Sequence, residues 1–173
     1  MRRFSRIFAW TTLFFVAGAV LFFTKAAALP YKVAWPVLLL SLATFLSRRR
    51  ELLPFGFAFL FSAAGDAVGA RGLFIPQMAF FALAHVAYVC WFLPRARRRL
   101  RAVSLAGTVP LLVFLFAAIV PEAPFPAERI GVAVYGLVIA AMLYSALQYD
   151  GACAAGFRCP ALLFVFSDAV IAW

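Results

Sequence analysis

Leu52-Leu53-Pro54-Phe55-Gly56-Phe57-Ala58-Phe59-Leu60-Phe61-Ser62-Ala63-Ala64-Gly65-Asp66-Ala67-Val68-Gly69 is an unbroken apolar run with one carboxylate set inside it. A helix needs about 20 such residues to cross a bilayer, and this run has nearly that length. It is too long for a barrel strand and does not alternate. An open strand in lipid would also leave its backbone polar groups unsatisfied. Asp66 is the anomaly. A carboxylate at the centre of a span costs roughly 2.5–3.5 kcal/mol on insertion scales, so it is a candidate functional group by default.

The same pattern extends in both directions. Further apolar segments run from Ile7 to Phe23, Tyr31 to Ser47, Phe74 to Leu93, Ala102 to Val120, Glu128 to Leu147 and Ala152 to Trp173. With Leu52 to Gly69 they make seven. The chain has 173 residues and is 67% hydrophobic, with a mean hydropathy of +1.03. A soluble core cannot absorb that excess. Seven spans also leave no length for a soluble catalytic domain. We expect an all-α polytopic transmembrane bundle, a single integral membrane domain over residues 1–173. Arg2, Arg3 and Arg6 followed by an apolar run ending near Ala26-Ala27-Ala28 resemble a secretory signal. The length of Ile7–Phe23, and Lys25 at its end, favour an uncleaved first span.

The formal net charge is +10. In a soluble protein that balance would point to nucleic acid, which we do not expect as a partner here. The basic residues instead fall between the apolar runs. Arg2, Arg3, Arg6, Arg48, Arg49, Arg50, Arg95, Arg97, Arg98, Arg99, Arg101 and Arg158 lie on one alternate set of loops. Lys25, Lys32, Arg71 and Arg129 lie on the other. The positive-inside rule then predicts a cytoplasmic N-terminus.

Of the acidic residues, Glu51, Glu122, Glu128 and Asp150 sit at span ends or in loops, where water satisfies them. Asp66 and Asp168 do not. Counting from the inner ends of their spans, they lie about 21 and 24 Å deep. Matching depth would let them face one another. Cys159-Pro160 is expected to kink the last span or mark its start. Ser62 is on the same helix face as Asp66, and Ser167 adjoins Asp168. Gly65 and Gly69 form a G-x-x-x-G that admits a close helix neighbour. His85 and Tyr88 share a face of span four, Tyr135 lies in span six, and Lys32 stands at the outer start of span two.

Each has a plainer reading. An intramembrane Asp or His often serves as an interhelical hydrogen-bond partner. Lys32 reads more simply as an interfacial anchor. Tyr31, Tyr144, Tyr149, Trp10, Trp35, Trp91 and Trp173 fit an aromatic belt. One histidine is too few for a zinc centre, and no metal or cofactor is expected. The three cysteines, Cys90, Cys153 and Cys159, form no C-x-x-C pair. No G-x-S-x-G supports a serine hydrolase.

In order along the chain, Phe61-Ser62-Ala63-Ala64-Gly65-Asp66 resembles an S-x-x-G-D signature. Phe80-Phe81-Ala82-Leu83-Ala84-His85-Val86-Ala87-Tyr88 is similar to F-x-x-x-H-x-x-Y. Phe164-Val165-Phe166-Ser167-Asp168 resembles F-x-x-S-D. Lys32 with Pro36 is similar to an early K-P element, with three residues between the two. Ala133-Val134-Tyr135 fits the sixth span. The ordered set resembles the YhhN-like membrane proteins, which include the lysoplasmalogenases.

The resemblance implies an eight-span helical enzyme of the membrane, here the bacterial inner membrane. The sequence stops at Trp173, directly after the S-D segment, so the eighth span is expected to be missing here: either the chain is a fragment or this member is shorter. The implied reaction is cleavage of the vinyl ether bond of a lysoplasmalogen, giving a fatty aldehyde and glycerophosphoethanolamine or glycerophosphocholine. Vinyl ethers hydrolyse by protonation of the β-carbon, which gives an oxocarbenium ion that water attacks. Two carboxylates can divide that labour, as glycosidases do around a similar cation. We expect Asp66 and Asp168 to be the catalytic pair. Lys32, Ser62, His85, Tyr88, Tyr135 and Ser167 would orient the pair or the lysophospholipid. The rival expectation is a proton-coupled transporter or channel that uses Asp66, Asp168 and His85 as a relay.

Overall fold

A computed structural model describes residues 33–151 and 153–172, together with residues 13, 16, 17 and 20. The expected first span and the signal-like N-terminus lie outside the described residues, those four positions apart. So do Tyr31, Lys32 and Trp173.

Among the described residues the chain forms six α-helices. They are α1 (Trp35–Leu46), α2 (Leu53–Gly69), α3 (Phe74–Phe92), α4 (Arg101–Phe114), α5 (Pro126–Leu147) and α6 (Ala154–Ala172). Proline opens three of them. Pro36, Pro54 and Pro126 stand in the first two positions of α1, α2 and α5, where the missing N–H had no helical partner to lose.

Four stretches are long and apolar enough to cross a membrane: Arg50–Gly69, Phe74–Arg95, Arg98–Glu122 and Pro126–Leu147. They match four of the expected spans to within a few residues. α1 is apolar but shorter. Pro160 does not start the last helix; α6 begins at Ala154 and carries the proline inside it. α4 also holds an internal proline, Pro110, and passes into a π-helical turn at Leu115–Ile119.

The solvent assignment follows from what is inside and what is outside. The buried set includes Ser41, Thr44, Ser62, His85, Ser104, Thr108, Ser145 and Gln148. Meanwhile Phe166 and Leu163 on α6 are 68% and 67% exposed, and Leu46, Val103 and Ile130 are also outside. Small polar groups inside and large apolar ones outside is the arrangement lipid requires.

The chain divides into two compact units, Met1–Ala87 and Tyr88–Trp173. In the first, α1 packs on α2. The Ser41 hydroxyl donates to the Gly56 carbonyl at 2.9 Å. The Phe45 ring lies over Gly56, where a Cβ would come within 2.7 Å of it. It also meets Phe57 edge-on at 5.3 Å. The turn between α1 and α2 places Arg48 in the left-handed region, with φ of 52°.

In the second unit α5 is the central helix and packs on both α4 and α6. Val132, Gly136, Ile139, Ala140, Leu143 and Ala146 are among its buried residues. Gly136 admits Leu115, and Gly107 on α4 admits Leu147. The segments after α3 and α5 are stitched by an isolated antiparallel bridge, Ala96 with Tyr149. There the Arg97 N–H donates to the Gln148 carbonyl at 2.9 Å.

Candidate functional site

The first unit holds Ser62, Asp66 and His85. Gly65 and Gly69 lie against side chains of α3. A Cβ on Gly65 would come within 3.1 Å of the Phe81 ring, and one on Gly69 within 2.5 Å of the Gln77 amide. Each four-residue step back along α2 therefore meets a four-residue step forward along α3. His85 is completely buried and Ser62 nearly so. Among the described residues the Ser62 hydroxyl has no hydrogen-bond partner. A buried hydroxyl without a partner costs about 1–3 kcal/mol, which is a reason to ask what it waits for. Asp66 lies one turn further along the same helix and is half-buried.

The second unit holds Tyr88, Tyr135, Ser167 and Asp168. The Tyr135 hydroxyl on α5 donates to Asp168 Oδ2 on α6. Both side chains are half-buried. The bond gives the carboxylate a partner on the neighbouring helix and fixes its orientation. Tyr88, at the end of α3, is half-buried, and Ser167 is exposed. Ser167 is therefore adjacent to Asp168 in sequence while facing outward.

Sequence reasoning named Tyr135 and Asp168 separately and had no basis for joining them. It also missed the polar stripe of α4. Ser104 and Thr108 are buried, and Gly107 between them lies against Leu147. Ser104 satisfies its hydroxyl on the Leu100 carbonyl at 3.0 Å. Their i, i+4 spacing beside a glycine was the available signal.

Residues 27–173 match the YhhN family. The chain belongs to the YhhN family. The signatures ending at Asp66, His85-x-x-Tyr88 and Asp168 all fall within the matched residues. Among curated proteins, the lysoplasmalogenase TMEM86B of Homo sapiens is 38% identical over 120 residues. The alignment covers 67% of this chain and 48% of that relative, so the chain spans about half the relative's length. No solved structure matches. Within the YhhN family setting, the Tyr135–Asp168 pair joins two of the family-like segments by a side-chain contact.

Proposed function

We propose that this chain is a lysoplasmalogenase-like membrane hydrolase. Its substrate class is a lysophospholipid with a vinyl ether at sn-1. The observation that carries the reading is the hydrogen bond from Tyr135 to Asp168, taken with the likeness to a lysoplasmalogenase. A carboxylate held by a phenol on a neighbouring helix has one fixed direction, as charge stabilisation at a reacting centre requires.

The chemistry follows from the substrate. One aspartic acid delivers a proton to the β-carbon of the vinyl ether. The C=C pair forms the new C–H bond, and positive charge develops on the α-carbon and ether oxygen. The second carboxylate stabilises that cation and takes a proton from the attacking water. The resulting hemiacetal collapses, releasing a fatty aldehyde and the glycerol hydroxyl. Asp66 and Asp168 are the proposed pair. Tyr135 orients Asp168. Ser62 and His85 line the Asp66 side, and Tyr88, Ser167 and Lys32 are the further positioning groups. The arginine asymmetry supports seven spans in a single membrane domain with a cytoplasmic N-terminus in the cell membrane.

The test is Asp66→Asn and Asp168→Asn in protein reconstituted in lipid, with release of aldehyde from a lysoplasmalogen as the readout. Both variants are expected to lose activity while remaining folded. Full activity in either sinks the proposed pair. Proton uptake by sealed vesicles, with no hydrolysis by the parent protein, would assign the same carboxylates to transport.

A further inference from the structure

The second unit has a cleft remote from Tyr135 and Asp168. It has a volume of about 410 Å³ and is lined by Pro94, Arg95, Ala96, Arg97, Tyr149, Asp150 and Gly151. Two loops make it, the one after α3 and the one after α5, held together by the Ala96–Tyr149 bridge. Its depth relative to the bilayer is set by its neighbours. The membrane-length stretches end or begin at Arg95, Arg98 and Leu147, so the cleft lies at the headgroup level of those spans.

Its chemistry is cationic and partly preset. The Arg95 guanidinium lies over the Trp91 ring at 4.5 Å. It also donates to the Trp91 carbonyl at 2.7 Å. That parks a planar, multi-donor group at the rim in a fixed orientation, at reduced entropic cost to a ligand. Arg97 has its backbone pinned to Gln148, and its side chain is exposed. Trp91 meets Phe92, Tyr149 and Phe157 at centroid distances of 5.1, 5.2 and 5.1 Å, so an aromatic cluster backs the cleft through Tyr149. Asp150 is the counter-charge. It pairs with Arg99 and, at 3.9 Å, with Arg158. Arg158 is also committed to the Tyr149 carbonyl through two N–H groups, at 3.1 and 2.5 Å. Arg99 is the exchangeable partner, because its side chain is 73% exposed.

We propose that this cleft binds the phosphate headgroup of an anionic membrane lipid, with Arg95 and Arg97 as its ligands and Arg99 recruited from Asp150. Basic clefts between spans at the bilayer surface suit such headgroups. An arginine fork matches two phosphate oxygens at once. Tyr149 follows Tyr135 by about four helical turns, near 20 Å along α5. A lysolipid headgroup in this cleft therefore cannot place its own glycerol ether at Asp168. The bound lipid is a second lipid, and its site is independent of the reaction proposed above.

The experiment compares binding of the full chain to phosphatidylglycerol in phosphatidylcholine nanodiscs, read by native mass spectrometry of retained lipid. The variant R95Q/R97Q is expected to lose affinity by roughly fivefold per arginine, about 25-fold together. The control R48Q/R49Q removes the same charge from another arginine loop and is expected to lose less than threefold. Asp150→Asn is expected to tighten binding several-fold by releasing Arg99, and this holds the test open if R95Q/R97Q does not fold. Equal losses in the two arginine variants would mean diffuse attraction and overturn the site. So would weaker binding in Asp150→Asn. Displacement by inorganic phosphate with no preference for phosphatidylglycerol would assign the cleft to a soluble anion and overturn the lipid.

Discussion

At the residue scale, the membrane changes what a hydrogen bond decides. Interhelical side-chain hydrogen bonds in membrane proteins contribute about 0.6 kcal/mol to stability on average. Losing an oriented bond to a carboxylate costs about 1.5–3 kcal/mol when it acts on the reacting state. Tyr135→Phe is therefore expected to leave the protein folded, with a small loss in thermal stability. It should lower kcat by about tenfold to a hundredfold, measured by aldehyde release. A variant with unchanged kcat would reduce Tyr135 to a packing partner of α5 and α6. Ser62 gives a second contrast. Its buried hydroxyl has no partner among the described residues, so Ser62→Ala is expected to keep or raise stability, measured by thermal unfolding. A fall in turnover without a fall in stability would place Ser62 in substrate positioning.

At the element scale, the close helix contacts rest on glycine against ring or branched side chains. Gly56 beneath Phe45 is the tightest contact of a helical glycine with a ring. Gly56→Leu is expected to destabilise the α1–α2 pair by about 1–3 kcal/mol, the usual cost of overpacking. Gly69→Ala is expected to be milder, because the atoms it meets are the mobile end of Gln77. Thermal unfolding in detergent ranks the two. Turn geometry offers a gain instead. Cys153 just before α6 has φ of 60°, a conformation that suits glycine. Cys153→Gly is expected to raise stability by up to about 1 kcal/mol.

Much at this scale was readable beforehand. The apolar runs located α2, α3 and α5 to within two residues. Gly65 and Gly69 lie against the Phe81 ring and the Gln77 amide of α3. Of the two roles open to Pro160, marking the start of the last span is excluded, because α6 begins at Ala154 and carries the proline inside it. The π turn after Pro110 was not readable, since nothing in Leu115–Ile119 departs from an ordinary apolar helix.

At the scale of the whole molecule, topology is the property open to direct test. The proposed topology, read from arginine placement, would put the loops at Arg48–Arg50 and Arg95–Arg101 on the cytoplasmic side and the Pro121–Pro126 loop on the other. In a chain freed of Cys90, Cys153 and Cys159, Arg50→Cys and Arg98→Cys are expected to react with an impermeant maleimide only from the cytoplasmic face. Ala123→Cys should react from the opposite face. Any reversal of that pattern would overturn the orientation.

Hydropathy and charge placement by themselves determined that the chain is helical and lives in a bilayer. The reason is general: lipid leaves the backbone no other way to satisfy its polar groups. The unusual cost of Asp66 and Asp168 in that solvent also made them visible without coordinates. Only the tertiary structure decided that Tyr135 meets Asp168, and that the loops after α3 and α5 close around Arg95, Arg97 and Asp150. Those meetings depend on how each helix is rotated and slid against its neighbours. Helices that are apolar on every face carry little record of rotation in their sequence, so packing at Gly136, Gly107 and the Ala96–Tyr149 bridge settles it instead.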